Sequence, residues 1–179
     1  MTLAGGAVVV LGSGVVAAAV SGVMTQRWER QRTLLERRLS AAADFAGAAA
    51  RASNALDGLA RKIRPTALPG GDEIELLHGM CDQVLATIAQ ATEKAGLVRV
   101  LYGPAARISG CATEWGNRSN ASALAAQSFL WVVAPIVAGE KRDPSRVSAL
   151  REEMESELGL AREALNEFEL ASSESWSAP

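Results

Sequence analysis

Cysteine, histidine and aromatic side chains are all scarce in this sequence, and each scarcity closes off a class of protein. Two cysteines, Cys81 and Cys111, in 179 residues are too few for a disulfide-stapled secreted scaffold. They also sit at the wrong heights to pair. On consecutive antiparallel helices joined near Gly103 they are offset by roughly 20 Å at about 1.5 Å per residue, beyond a reach of about 7 Å between Cα atoms. Both are expected as buried free thiols. The single histidine, His78, has no ligand cluster around it and reads as an ordinary helix residue rather than a metal or catalytic group. Aromatic residues are only 4% of a chain that is 49% hydrophobic, so the apolar content is small and aliphatic, which favours closely packed helices over a sheet sandwich. The net charge of -2 is near zero and the basic stretch is only modestly positive, which argues against nucleic acid as a partner. Phosphate loops, nucleophile elbows and metal-ligand clusters are missing too. The expectation is a non-enzymatic chain with no cofactor, no metal and no small-molecule substrate.

Charge is also missing locally. From Leu3 to Gln26 no side chain is charged, and Leu3 to Met24 alone would make a helix of about 33 Å against a hydrocarbon core of about 30 Å. Gly12, Gly14 and Ala17 match the dinucleotide-binding spacing G-x-G-x-x-G/A, but that reading needs a second strand ending in a carboxylate. An arginine-rich stretch follows instead. A membrane span over residues 1–26 is therefore preferred. A cleaved secretory signal carries its positive charge before the apolar run, whereas here the arginines come after it. Arg27, Arg30, Arg32, Arg37 and Arg38 place the C-terminal bulk in the cytoplasm and the short N-terminus outside the plasma membrane. Arg27, Trp28, Arg30 and Arg32 are the expected membrane-interface residues, although Trp28 suits equally well the first core position of the next helix. Gly14, Ala18 and Gly22 form a small-residue stripe that would let two membrane helices approach closely.

Beyond the span the apolar residues keep helical periods. Trp28, Leu35, Ala42, Ala49, Leu56 and Ile63 recur in heptads, joined by Leu39, Phe45, Ala46, Ala52, Leu59 and Ala60. That stripe is wide enough to face a bundle core. Pro65 and Pro69-Gly70-Gly71 stop it, and Asp72 offers an N-cap for a second helix with Ile74, Leu77, Cys81, Val84, Leu85, Ile88, Ala91 and Ala95 on its apolar face. That helix is expected to end at Gly103-Pro104. A third, with Ile108, Cys111 and Trp115, is expected to break around residues 116–120. Residues 121–139 carry no charge. Pro135 and the cations Lys141, Arg142 and Arg146 favour a buried bundle helix there over a second span, with Phe129, Leu130, Trp131, Val133, Ile136 and Val137 in the core. Asp143 and Pro144 mark the start of a fourth helix, whose core face is Val147, Leu150, Met154, Leu158, Ala161, Leu165 and Phe168. Glu152, Glu153, Glu155 and Glu157 read as a solvated face, and residues 172–179 as a disordered polar tail.

The whole plan, a charge-free run leading into the arginine-rich stretch TQRWERQRTLLERRLSAAADFA and then a bundle, resembles that of the small membrane-anchored helical proteins of actinobacteria and their phages. The resemblance implies no activity. The expected fold class is all-α, an N-terminal transmembrane helix (1–26) continuing into a cytoplasmic antiparallel bundle of about four helices (27–171). The expected partners are the membrane and a second copy or another protein. A membrane-acting, phage-type effector whose residues 121–139 also enter the bilayer is the alternative.

Overall fold

The computed structural model describes residues 4–63, 68–137 and 144–177, with side-chain surroundings for 24–63, 68–137 and 145–175. These residues form four helices, α1 (Ala4–Ile63), α2 (Gly71–Tyr102), α3 (Arg107–Val137) and α4 (Pro144–Ser177), with no strand among them. The protein is all-α. It divides into two compact units, Met1–Leu39 and Ser40–Pro179.

The second unit is an antiparallel bundle, and specific pairs fix its directions. Arg107 at the start of α3 meets Glu174 near the end of α4, whereas Arg118 further along α3 meets Glu157. Phe45 with Phe168, and Asp57 with Arg162, run α1 against α4 in the same way. The thiol of Cys81 donates to the Ala123 carbonyl at 3.7 Å while His78 faces Trp131, which sets α2 antiparallel to α3. The helices therefore alternate up and down in chain order.

The core is built from the periodic residues. Phe45, Ala49, Ala52, Leu56, Leu59 and Ile63 of α1, Ile74 to Val98 of α2, Ile108 to Val133 of α3 and Val147 to Ala171 of α4 supply four buried bands of nearly equal length. Each is roughly 25 residues, or about 37 Å at 1.5 Å per residue. Many of these positions are alanine, which lets the backbones approach but contributes little area each. Among the larger buried side chains, three form an aromatic cluster. Phe45 meets Trp115 edge-on at 5.5 Å and Phe168 at 4.6 Å, and the Trp115 indole donates to Ser53 Oγ at 3.3 Å, so the largest buried side chain has its polar atom satisfied.

The structure departs from the sequence reading at several places. The heptads of Trp28 and Leu35 are not core, since burial in α1 begins at Ala41. At 60 residues α1 is nearly twice as long as α2, α3 or α4, so those partners cannot cover all of its apolar stripe. The second helix is capped by Gly70, without a side-chain bond, and Asp72 lies with Glu73 in its first turn, where carboxylates favour the positive end of the helix dipole. No break occurs at 116–120. Gly116 packs beside Thr92, Arg118 is held by two carboxylates and Ser119 is buried, so tertiary contacts override poor helix formers. Trp131 is 67% exposed and Val137 is exposed, because Phe129, Leu130, Val132 and Val133 already occupy the inward arc of α3. Cys111 is only partly buried. The polar tail is helical as far as Ser177, tied down by the Arg107–Glu174 pair at 2.9 Å. The ending at Gly103, whose φ of 90° suits glycine, and the start at Pro144 are as expected. Pro65 and Asp143 lie outside the described residues.

Candidate functional site

Two sets of residues carry polar or charged chemistry: the basic stretch of the first unit, and the clefts and polar clusters of the bundle. Residues 7–11 are helical, so the glycine pattern lacks the strand that its nucleotide reading requires. The backbone at Gly14, Ala18 and Gly22 is helical too, and their surroundings lie outside the described residues.

The four interface residues of the sequence reading, Arg27, Trp28, Arg30 and Arg32, fall within two turns of α1 and are all exposed. Trp28 is 74% exposed, and Met24, Leu34 and Leu35 are exposed with it. Arg32 Nε donates to Glu36 at 3.0 Å, and the Thr33 hydroxyl donates to the Glu29 carbonyl at 2.9 Å, both along the helix. This stretch therefore combines cations with large apolar side chains in water contact, an arrangement suited to a surface that is apolar inside and negatively charged outside.

In the bundle, no three His, Cys, Asp or Glu side chains gather into a metal-binding group among the described residues. Glu152, Glu153 and Glu155 are exposed as expected. Glu157 is not simply solvated: its side chain is 20% exposed and takes Arg118 at 3.2 Å, while Arg118 also holds Glu114 at 2.7 Å. That pairing raises the Arg118 pKa, the Glu114 hydrogen bond contributing most, and Arg107 is raised in the same way by Glu167 and Glu174. These cations bridge α3 to α4 at the bundle surface. The two cysteines are free. Burial pushes both thiols up, with Asp82 adding to the effect at Cys81, so neither is poised as a thiolate nucleophile.

Three other features have the makings of contact sites. A groove of mixed polarity, about 180 Å³, between α2 and α3 is lined by Thr92, Ala95, Arg99, Ala112, Asn117 and Asn120 among others. A mostly apolar groove of about 290 Å³ between α1 and α4 is lined by Ala42, Ala43, Ala46, Phe168, Glu169, Ser172 and Ser173. Arg151 lies over the Phe129 ring at 5.0 Å, with Nε and Nη2 buried and unbonded; the ring's negative face compensates part of that loss.

Sequence reading missed one prominent surface group. Trp131 stands outward against His78, ring centres 6.1 Å apart, and Leu124 is exposed two turns earlier on the same face. The signal was present in the spacing of Asn117, Asn120, Leu124, Ser128 and Trp131, which traces an outer stripe of mixed polarity. The helix that carries it, α3, is long and apolar enough to cross a membrane by length and composition, and 44% of its most apolar window is buried in the bundle. No protein-family model, curated protein or solved structure matches this chain.

Proposed function

We propose that this protein is a single-pass, membrane-anchored helical bundle that acts by binding another protein or itself rather than by catalysis. The observation that carries the reading is the order of features along α1: a charge-free run from Leu3 to Gln26, then five arginines within residues 27–38, then a helix that supplies one wall of a bundle core. Apolar length followed by cations is the pattern of a span with its C-terminal side in the cytoplasm. Trp131 and Leu124 support a binding role, since exposed tryptophan is enriched among the residues that anchor protein partners.

Cysteine accessibility in intact cells tests the topology. Single cysteines at Thr2, Gln26, Ser128 and Ser177 are probed with an impermeant thiol reagent. Labelling at Thr2 alone until lysis is the expected result, and labelling at Gln26 from outside overturns it. The alternative, an effector whose residues 121–139 also enter the bilayer, draws on the composition of α3. It requires Ser177 to label from outside together with Thr2.

A further inference from the structure

The helix α3 keeps its charges on one side. Its charged side chains are Arg107, Glu114 and Arg118, gathered toward α4, where Arg107 meets Glu167 and Glu174 and Arg118 holds Glu114 and Glu157. Thr113, Asn117, Asn120, Leu124, Ser128 and Trp131 are all exposed. At about 100° per residue they fall within about 40° of one direction, at least about 80° from any of those charges. The outward face of α3 is thus free of charge over about 27 Å. The outward side of α4 is the opposite case, exposing Glu152, Glu153, Glu163 and Glu169. The groove that α3 shares with α2 runs alongside the face, with Asn117 and Asn120 in its wall.

We propose that a second copy of this chain covers this face, α3 lying against α3 in parallel. The inference rests on the self-binding reading above and gives it a place and a register. Lack of charge selects the occupant. A partner bringing Lys, Arg, Asp or Glu onto the face would strip them of water with no opposite charge to meet, whereas a second copy brings the same uncharged surface. The amides select it further. Asparagine carries both donor and acceptor, so it pairs with its own counterpart, and Asn117, Leu124 and Trp131 recur every seven residues with Asn120 between, the spacing of a two-helix seam. Hydrocarbon would offer these amides nothing to bond. An antiparallel copy covering the same stretch from Thr113 to Trp131 would set Asn120 against Leu124 and leave the amide unpaired. Parallel copies also send both α1 helices the same way, as two anchors in one membrane require. The face and the adjoining flank of α2, about 20 Å across together, bury roughly 1,000 Å² between two copies, the lower bound for a specific interface.

The test uses the full chain with phosphatidylcholine vesicles, in a Cys111→Ser background because Cys81 is buried. A cysteine is placed by Leu124→Cys on the face, or by Gln90→Cys half a turn round α2 from Cys81, which meets α3 at Ala123. The chain is oxidised and the disulfide-linked dimer is measured. The expected result is severalfold more dimer from position 124 than from position 90. It is lost when Asn120→Lys sets two cations against each other, with helical content unchanged by circular dichroism because residue 120 is exposed. Equal cross-linking at 90 and 124 overturns the proposal, and so does cross-linking at 124 that survives Asn120→Lys. Quenching of a fluorophore at 124 by nitroxide lipids, without cross-linking, overturns it by making lipid the occupant. Dimer from a mixture of Leu124→Cys with Asn120→Cys, and none from Leu124→Cys alone, overturns the parallel arrangement. Impermeant-reagent labelling at Thr2 and Gln26 reports the anchor separately. Cross-linking at 124 without a span keeps the pair and removes the anchor; a span without cross-linking removes the pair and leaves the anchor.

Discussion

Residues 24–39 and 40–63 of α1 share one helix and one heptad pattern, yet their apolar side chains meet opposite surroundings. Leu56 is 1% exposed where Leu35 is 57% exposed, although both occupy the same heptad position. The difference lies outside the helix. From Ala41 onward three other helices bring equal bands of apolar surface, and Phe45 is enclosed by Trp115 and Phe168. Amphipathic spacing states which face seeks cover; whether cover arrives depends on what else the chain places there.

Several experiments break or sharpen that contrast. The largest effect is expected in thiol labelling. With Leu35→Cys, the introduced thiol reacts as an exposed one, while Cys81 waits for the bundle to open, a rate ratio of about a thousand or more for a domain stable by 5 kcal/mol or more. Comparable rates would show that the bundle does not protect its core. The Cys81 thiol is raised in the folded state, so its contribution to stability is complete below the unfolded thiol range near pH 8.5 and is lost as pH rises through the folded value.

Next comes Leu56→Asp, which puts an unpaired carboxylate into the core and is expected to unfold the bundle, read as loss of the cooperative thermal transition by circular dichroism. Retained melting behaviour would contradict the packing described. Phe45→Ala should cost about 3–5 kcal/mol by denaturant titration, since the site opens a cavity between Trp115 and Phe168. Gly58→Ala should stabilise the bundle by about 0.5–1 kcal/mol, because a Cβ there meets nothing within 4 Å and alanine is the better helix former. The smallest change is expected for Leu35→Asp, within about 0.5 kcal/mol in the same titration. A large loss there would place a hidden partner on the first unit.

The fold was largely legible because it rests on periodicity. The inward faces of α2 and α4, the stop at Gly103 and the start at Pro144 all follow from local spacing and turn chemistry. What escaped the sequence depends on residues far apart in the chain. Residues 116–120 look like a break until Thr92 of α2 meets Gly116 and Glu157 of α4 meets Arg118. Ser172 and Ser173 look like a tail until Arg107 holds Glu174. Trp131 looks like core because it is large, and only the arc already filled by Phe129, Leu130 and Val133 turns it outward. At the candidate site the run of arginines and Trp28 was visible in the sequence, and the structure shows these side chains exposed. That Leu35 joins them, rather than the core, depended on where the bundle begins.

The aromatic cluster has one more consequence, for sliding. A core in which alanine is the commonest residue is a smooth track, along which a helix displaced by one heptad still presents apolar residues. Moving α4 by seven residues, however, would set Ala161 or Ser175 opposite Phe45 where Phe168 now sits. Phe45, Trp115 and Phe168 thus act as a detent: among the registers that the heptads permit, they select the one in which three large rings mesh.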